Sequence, residues 1–256
     1  GANVVGSLGS GSLVQDMPTA LSFDGDDDYV NINTFTGYPT SGAGAVTLWV
    51  KPSIEPDGGT DDQHNVFSFG DATNQRFTCG LDNRFTSPRG KIAVKIGDGG
   101  TNTAQATDAW HKDEWLHVTA TWDQTLDDRM YLYLNGVFQA SSSLPGNGPM
   151  GAPTSGTLGK FAWGTNYYPG LIRDVRVFDD GLTTTEITNI YQDVNMGGVT
   201  TTSTLVAWYK AEEGTGVNIE DFSSNTNSGT AAGTTWDKSE YNLNQIGSGS
   251  VSGTTT

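Results

Sequence analysis

The sequence is poor in cysteine, in positive charge and in long apolar runs. Its single cysteine, Cys79, excludes an intrachain disulfide framework and any zinc site built on cysteines. Thirteen Lys and Arg residues stand against 29 Asp and Glu residues, which gives a formal net charge of −16. Because nucleic acids and anionic membrane surfaces are bound through clustered basic residues, this balance argues against both partners. No apolar run approaches the roughly 20 residues of a membrane helix, so membrane insertion is not expected.

Glycine, other turn residues and aromatics are abundant instead. The 256 residues include 34 glycines, and aromatic residues make up 10% of the chain. This length suits one large domain or at most two small ones, and the aromatic content is too high for a disordered chain. Few charged residues (16%) combined with many Gly, Ser, Thr and Asn are typical of all-β proteins with many turns.

Short stretches of alternating apolar and polar residues recur along the chain. They stop at turn residues, among which Asn135-Gly136 is the strongest hairpin signal. The stretches cover residues 21–23, 29–32, 46–50, 66–69, 91–96, 115–122, 130–134, 137–138, 171–178 and 205–209. Many short strands at near-regular spacing predict an antiparallel β-sandwich or jelly roll.

One helix is predicted after the stretch at 171–178. Thr183 and Glu186 have the spacing of a capping box, in which each side chain satisfies a backbone N–H at the start of a helix. The apolar stripe that follows at helical spacing consists of Ile187, Ile190, Tyr191 and Val194. This pattern predicts a short helix lying on the sandwich.

Five stretches carry recognisable motifs in a fixed order. They are residues 20–30 (ALSFDGDDDYV), 46–52 (VTLWVKP), 114–123 (EWLHVTATWD), 131–136 (YLYLNG) and 168–178 (YPGLIRDVRVF). Together they resemble the concanavalin-A-like, laminin-G-like jelly rolls over about residues 20–192. The resemblance implies an antiparallel concanavalin-A-like β-sandwich with one short helix. It implies little about function, because this fold serves lectins, adhesins, pentraxins and virion appendages.

The sequence lacks the catalytic motifs of enzymes with this fold. Hydrolases of this fold place three acids on one strand, in a pattern close to Glu-x-Asp-x-Glu, and the sequence contains no such trio. It also lacks a serine-hydrolase elbow, a zinc-protease motif and a phosphate loop. We therefore expect no enzyme activity.

The chain divides into four segments. Residues 1–16 and 239–256 are predicted to be a flexible arm and a flexible tail, and residues 17–198 form the sandwich. Residues 199–238 contain the stretch 205–216 (LVAWYKAEEGTG), which resembles the segment that normally begins such a domain. Three arrangements are open: this segment completes its own sandwich in a permuted order, pairs with a neighbouring copy, or starts a second repeat.

An acidic loop near the start of the sandwich is a candidate calcium site. Asp24, Asp26 and Asp27 surround Gly25, and clustered carboxylates suit Ca²⁺, which prefers oxygen ligands and tolerates irregular geometry. The alternative is that these side chains serve the turn itself, by accepting hydrogen bonds from nearby backbone N–H groups.

The resemblance implies a second, structural calcium site between Asp174 and Glu213. Relatives commonly carry another acid beside the first of these residues, where this chain has Arg173. That difference removes one ligand and adds a cation. Solvated carboxylates, or an ion pair made by Arg173, are the alternative.

Loop aromatics are candidates for glycan binding. Trp163 and Tyr167 lie with Asn166 in the loop 159–170, and Trp110 lies in another loop. An exposed ring stacks on the apolar face of a sugar while amides bind its hydroxyls. Burial of these rings against the sandwich is the alternative.

Two functions follow from these observations. The first is a non-catalytic surface-display module, a virion decoration or fibre domain or a cell-surface domain, that docks through its arms on other structural proteins of the same particle. The alternative is a calcium-assisted glycan-binding module of the lectin or adhesin type. Both place the protein outside the cell or on a virion surface, and both allow self-association into a homo-oligomer.

Overall fold

The computed structural model describes residues 19–32, 35–38, 42–56, 62–70, 76–84, 90–97, 102–144, 153–193 and 196–238. Its strands and helix are β1 (Ala20–Asp24), β2 (Tyr29–Ile32), β3 (Ala43–Pro52), β4 (Gln63–Gly70), β5 (Arg76–Asp82), β6 (Lys91–Ile96), β7 (Thr103–Ala109), β8 (Leu116–Asp123), β9 (Arg129–Leu134), β10 (Val137–Ser143), β11 (Ser155–Leu158), β12 (Pro169–Phe178), α1 (Thr184–Gln192), β13 (Leu205–Tyr209), β14 (Asn218–Ile219), β15 (Gly229–Ala232) and β16 (Thr235–Asp237). Within these ranges, no helix has the length and apolar composition needed to cross a membrane.

The strands form two antiparallel sheets. The first sheet has the order β10-β9-β8-β3-β12-β1-β16, and β13 also pairs with β12. The second sheet has the order β14-β15-β2-β11-β4-β5-β6-β7. The predicted all-β sandwich with one short helix is confirmed.

The core lies between the sheets because apolar residues alternate along the strands. In β5, for example, Phe77, Cys79 and Leu81 are at most 1% exposed. The residues that alternate with them, Arg76, Thr78 and Gly80, therefore face away from the core. Burial raises the pKa of the Cys79 thiol to about 12, so this residue stays in its unreactive form.

Five strands of the second sheet, among them β5 and β7, fall outside the stretches that the sequence pattern predicted. The inward residues of β7 are Ala104 and Ala106, which are small and give a weak apolar signal. In β5 the outward Gly80 interrupts the alternation. Burial in the sandwich, and not the strength of the local pattern, holds both strands in the sheet.

The C-terminal strands pair with strands of both sheets in this chain. β13 pairs with the C-terminal half of β12, whereas β1 pairs with its N-terminal half. β15 pairs with β2, and β16 pairs with β1. Asn227 ties this segment to the loop after β2, because its Oδ1 accepts from Thr36 N at 2.6 Å. The predicted arm at 1–16 and the predicted tail at 239–256 both lie outside the described residues.

Helix α1 begins at the predicted capping box. The Thr183 hydroxyl accepts from Glu186 N, and the Glu186 carboxylate accepts from Thr183 N at 2.8 Å. Ile187 and Ile190 are buried, and Tyr191 stacks on Trp49 with 5.7 Å between ring centroids. The helix therefore covers part of the outer face of the first sheet. Val194, the last residue of the predicted stripe, lies outside the described residues.

Candidate functional site

The loop 159–168 connects β11 of the second sheet to β12 of the first. It packs on β4, where Asn65 N donates to Asn166 O and Ala162 N donates to Ser68 Oγ. Gly159 starts it with φ +76°, and a Cβ there would lie 2.3 Å from the Phe23 ring, so glycine is required. Tyr168 N donates to Gly159 O at 2.9 Å and closes the base of the loop. At the tip, Phe161 N donates to Asn166 O at 3.2 Å. These bonds give a short, backbone-braced loop that carries aromatic side chains.

Two of these rings meet a cation from β5. Phe161 and Trp163 pack edge to face, with ring centroids 5.6 Å apart. The guanidinium carbon of Arg76 lies 4.6 Å from the Trp163 ring centroid and 5.9 Å from that of Phe161. Both rings are partly exposed, so they stay accessible beside this cation.

A groove of about 300 Å³ runs beside this loop over the outer face of the second sheet. The base of the groove is formed by side chains of β4, β5 and β6 that alternate with buried ones and therefore point outward. The lining consists of Gln63, Asn65, Arg76, Thr78, Arg84, Lys95, Gly97, Phe161 and Asn166. Its size is at the lower end of the range for small-ligand sites, about 300–1,000 Å³. It offers a ring, amides, a hydroxyl and cations to one ligand.

Asp82 organises the polar side chains at one end of this groove. It is 1% exposed, and its Oδ2 accepts from Gln63 Nε2 at 2.6 Å. Arg84 donates from Nε at 3.1 Å and from NH2 at 3.0 Å, and Lys95 Nζ lies 3.4 Å from the carboxylate. One buried carboxylate therefore orients a glutamine and two cations at the groove.

The pKa values of this cluster follow from its contacts. Burial works to raise the pKa of Asp82, but the Arg84 hydrogen bonds and the Lys95 charge outweigh it and lower that pKa. Burial, together with the nearby charge of Arg84, lowers the pKa of Lys95, although its contact with Asp82 acts in the opposite direction.

Of the predicted glycan-binding residues, two lie at the groove and two lie away from it. Asn166 lines the groove, and Trp163 stacks on Arg76, which also lines it. The Tyr167 ring lies outside the lining, 5.4 Å from Lys160 Nζ. Trp110 was predicted wrongly: it is 2% exposed, and its indole N–H donates to Ile54 O at 3.0 Å. It packs into the core directly after β7 and has no face for a sugar.

The acidic loop behaves as a turn and also gathers carboxylates. Asp24 Oδ1 accepts from Asp26 N at 2.8 Å, and Asp28 Oδ2 accepts from Asp24 N at 2.9 Å. Carboxylate oxygens of Asp24, Asp27 and Asp28 all lie within 4.8 Å of one another, so these three could hold a cation. Asp26 is not in this group, and the buried Asp28, which the sequence analysis did not select, takes its place.

Two pKa shifts in this loop have opposite directions. Hydrogen bonds from backbone N–H groups, that of Asp26 first, lower the pKa of Asp24. Burial, helped by the neighbouring charges of Asp24 and Asp27, raises the pKa of Asp28. A cation among these carboxylates would favour their ionised forms.

The two residues of the second predicted calcium site have different partners in the structure. Asp174 is buried, and its two oxygens accept from Arg176 at 2.8 and 2.9 Å. Oδ1 also accepts from Trp208 Nε1 at 2.7 Å. Glu213 Oε1 accepts instead from Glu220 N at 2.7 Å. The carboxylate of Asp174 therefore forms an internal ion pair with Arg176, and a calcium ion between Asp174 and Glu213 stays a prediction.

Arg173, beside this aspartate, has the ion pair that was the alternative to a metal. Its NH2 lies 3.9 Å from Glu212 Oε1 and 3.5 Å from Met196 Sδ. The arginine is fully buried, whereas the glutamate side chain is 38% exposed. The contact with Met196 places Arg173 against the segment that follows helix α1.

The cationic side of the groove was missed by the sequence analysis. Arg76 and Asp82 begin and end β5, which was not predicted, and Lys95 was treated only as part of a strand. The available signal was the alternation of β5, which places Arg76, Thr78, Gly80 and Asp82 on one face. Register then adds Lys95, which is paired with Thr78.

The fold occurs in several solved structures. A protein from Bacteroides ovatus with a proposed carbohydrate-binding role matches with a TM-score of 0.64 and 19% identity, over 87% of this chain and 60% of its own. The chain thus spans about three fifths of the length of that protein. A heptameric SAP-like pentraxin from Limulus polyphemus matches with a TM-score of 0.55 and 17% identity, over 70% of this chain and 83% of its own.

A third structure is the CBM40 module of the Ruminococcus gnavus IT-sialidase, bound to α2,3-sialyllactose. It matches with a TM-score of 0.51 and 13% identity, over 67% of this chain and 96% of its own. At these identities the likeness is one of fold. A comparison with curated proteins finds no match.

A family model gives the assignment that these structures support. The model of the concanavalin A-like lectin/glucanases superfamily matches residues 24–188, which include β2 to β12 and the first half of helix α1. The match extends over more than half of the chain and includes the loop and the cations of the groove. This chain belongs to the concanavalin A-like lectin/glucanases superfamily.

Proposed function

We propose that this chain is a non-catalytic glycan-binding module and that the groove on the second sheet is its binding site. The observation that carries the proposal is the groove itself, where the ring of Phe161 stands beside the amides of Asn65 and Asn166. A sugar needs both kinds of partner, since its C–H face packs on an aromatic ring and its hydroxyls bind amides.

The comparisons support the same function. The module from the Ruminococcus gnavus sialidase was solved with sialyllactose, and the Bacteroides ovatus protein has a proposed carbohydrate-binding role. Both share only the fold with this chain, so the ligand is argued from the groove and not carried over from them.

Calcium assistance stays a prediction. The cluster of Asp24, Asp27 and Asp28 offers oxygen ligands of the kind that Ca²⁺ prefers. When bound, the ion would neutralise these carboxylates and tie together the loop between β1 and β2. The groove residues themselves require no metal for stacking or hydrogen bonding.

The surface-display function also stays a prediction. It depends on docking through the segments 1–16 and 239–256, which lie outside the described residues. Deletion of residues 1–16 is expected to abolish attachment to the parent assembly while the sandwich stays folded. Unchanged attachment of the shortened protein would contradict this function.

The proposed function is tested by a broad glycan array, run with calcium and again with a chelator, and then by titration of the strongest hit. Phe161→Ala is expected to weaken binding, because it removes a ring from the groove wall, and to leave the melting temperature nearly unchanged. Phe138→Ala is the matched control, since this ring is 52% exposed on the first sheet. An empty array with folded protein would reject the glycan-binding function, and loss of hits in chelator would support calcium assistance.

A further inference from the structure

We propose that the groove selects a saccharide that carries a carboxylate, a uronic or sialic acid, and that Arg76 is the residue that recognises this group. The inference rests on the proposed function, because it names the class of glycan for the same groove.

Two cavities in the described part of the chain differ in the charge of their lining. Among the described residues, the lining of the groove contains Arg76, Arg84 and Lys95 and no acidic residue, although the whole chain has a net charge of −16. In a second cavity, of about 390 Å³ on the first sheet, the charged residues that the structure describes in the lining are all acidic. They are Asp123, Asp127 and Asp180. An anionic ligand is therefore attracted to the groove and repelled by the other cavity.

Arg76 is the cation of the groove with an open binding capacity. In the described part of the chain its guanidinium has no carboxylate partner, and its Nε is buried without a hydrogen-bond partner. Its contacts are the faces of Trp163 and Phe161. Stacking occupies the face of a guanidinium and leaves the N–H donors in its plane for a ligand. This planar fork matches the two oxygens of a carboxylate.

The other two cations are held in place by Asp82. Its buried carboxylate takes two donors of Arg84 and approaches Lys95 Nζ, so both side chains are oriented before a ligand arrives. In the register of β5 and β6, Lys95 lies opposite Thr78, two residues along the strand from Arg76. A spacing of about 7 Å along a strand is comparable to the width of one sugar ring. When the carboxylate of the saccharide binds Arg76, its sugar ring therefore lies over Thr78 and within reach of Lys95.

A neutral sugar suits this groove less well. It would cover Arg76 and remove water from its donors without supplying an ionised acceptor. Buried donors left without a partner are costly, and sites built for a particular polar group discriminate strongly against ligands that lack it. The same geometry that accepts a carboxylate therefore rejects its neutral counterpart.

The test compares matched acidic and neutral saccharides by titration calorimetry. Trigalacturonate is paired with its carboxyl-reduced form, and sialyllactose is paired with lactose, which separates uronate from sialate as the source of the carboxylate. The acidic member of at least one pair is expected to bind about ten- to hundredfold more tightly, and added NaCl is expected to reduce this preference. Arg76→Gln is expected to abolish the preference, whereas Arg129→Gln, which removes an exposed arginine from the first sheet, is expected to retain it.

Each other outcome overturns a defined part of the proposal. Equal affinity within both pairs would reject the acidic ligand and leave the glycan-binding function standing. A preference that survives in Arg76→Gln would reject the role of Arg76. If neither these saccharides nor the array give binding, the proposed function fails together with this inference. Arg76→Lys keeps the charge and loses the planar fork, so an intermediate affinity at an unchanged melting temperature distinguishes ligand recognition from a merely structural role.

Discussion

The guanidinium of Arg76 and the indole of Trp163 form a cation–π contact of 4.6 Å that joins β5 to the loop over β4. The contact brings together two parts of the chain that are far apart in sequence, a strand of the sheet and a crossover between the sheets. It also keeps the Trp163 ring at the edge of the groove. The binding surface is therefore assembled by tertiary packing and not by one local motif.

Replacement of this indole tests the aromatic wall of the groove. Trp163→Ala removes a partly exposed ring and one face of the Arg76 contact, so glycan affinity is expected to fall about five- to thirtyfold. The melting temperature is expected to change little, since the ring is not in the core. Titration calorimetry and thermal unfolding measure the two effects. Equal glycan binding by wild type and variant would show that this loop does not contribute to the site.

The buried carboxylate beneath the groove is expected to matter for stability. Asp82→Asn removes the charge that holds Arg84 and Lys95, and a loss of about 2 kcal/mol in the free energy of unfolding is expected at neutral pH. Because the contacts lower the pKa of Asp82 in the folded state, its contribution is present above the unfolded pKa and disappears as the pH falls through the folded pKa.

Thermal unfolding between neutral and acidic pH measures this difference. Asp108→Asn is the control, because Asp108 is exposed on β7 of the same sheet. A constant gap between wild type and Asp82→Asn down to the lowest pH would contradict the electrostatic explanation.

The parts of the fold that the sequence predicted correctly are those with strong local signals. Alternating large residues mark β3 and β8, and the Asn135-Gly136 turn marks the hairpin of β9 and β10. The spacing of Thr183 and Glu186 places the helix start where the structure has it. In each case the residues that carry the signal also make the contact that stabilises the element.

The groove could be predicted only in part, because its residues come from separate strands and one loop. Asn166 and Trp163 were found from the composition of the loop. Lys95 and Arg76 needed the register of β5 and β6, which no local pattern encodes. Trp110 shows the opposite error: a tryptophan in a polar stretch appeared exposed, although tertiary packing buries it.

The capping glutamate gives a prediction about acid stability. Burial works to raise the pKa of Glu186, but donors from Thr202 and Thr183 lower it to about 2. Its carboxylate accepts from the backbone N–H and the hydroxyl of both threonines, at 2.6 to 2.9 Å. Glu186→Gln is therefore expected to lose about 1–2 kcal/mol of stability at neutral pH.

This loss is expected to shrink as the medium becomes acidic. A folded pKa below the unfolded value means that the stabilisation is complete above about pH 4.5 and is lost towards pH 2. Wild type and Glu186→Gln should thus approach the same stability near pH 2, which chemical denaturation at a series of pH values measures. Thr188→Ala, which removes an exposed helix hydroxyl, is the control.

A buried histidine is expected to destabilise the protein in mild acid. His117 is fully buried between Trp49 and Tyr191, with ring centroids 5.0 and 5.7 Å away. Burial, together with the charge of Arg176, lowers its pKa from 6.5 to about 3. Between these values the unfolded chain binds a proton that the folded chain does not, so stability falls as the pH decreases, by up to about 4 kcal/mol.

His117→Phe is expected to remove this contribution to the loss of stability in acid. Phenylalanine keeps a ring between the same neighbours and has no proton to gain. The variant should lose less stability than wild type when the pH is lowered from 7 to 4, as measured by chemical denaturation at each pH. His111→Gln, at an exposed position, should follow the wild-type profile. Parallel profiles for wild type and His117→Phe would mean that the folded protein protonates His117 without cost, contrary to its burial.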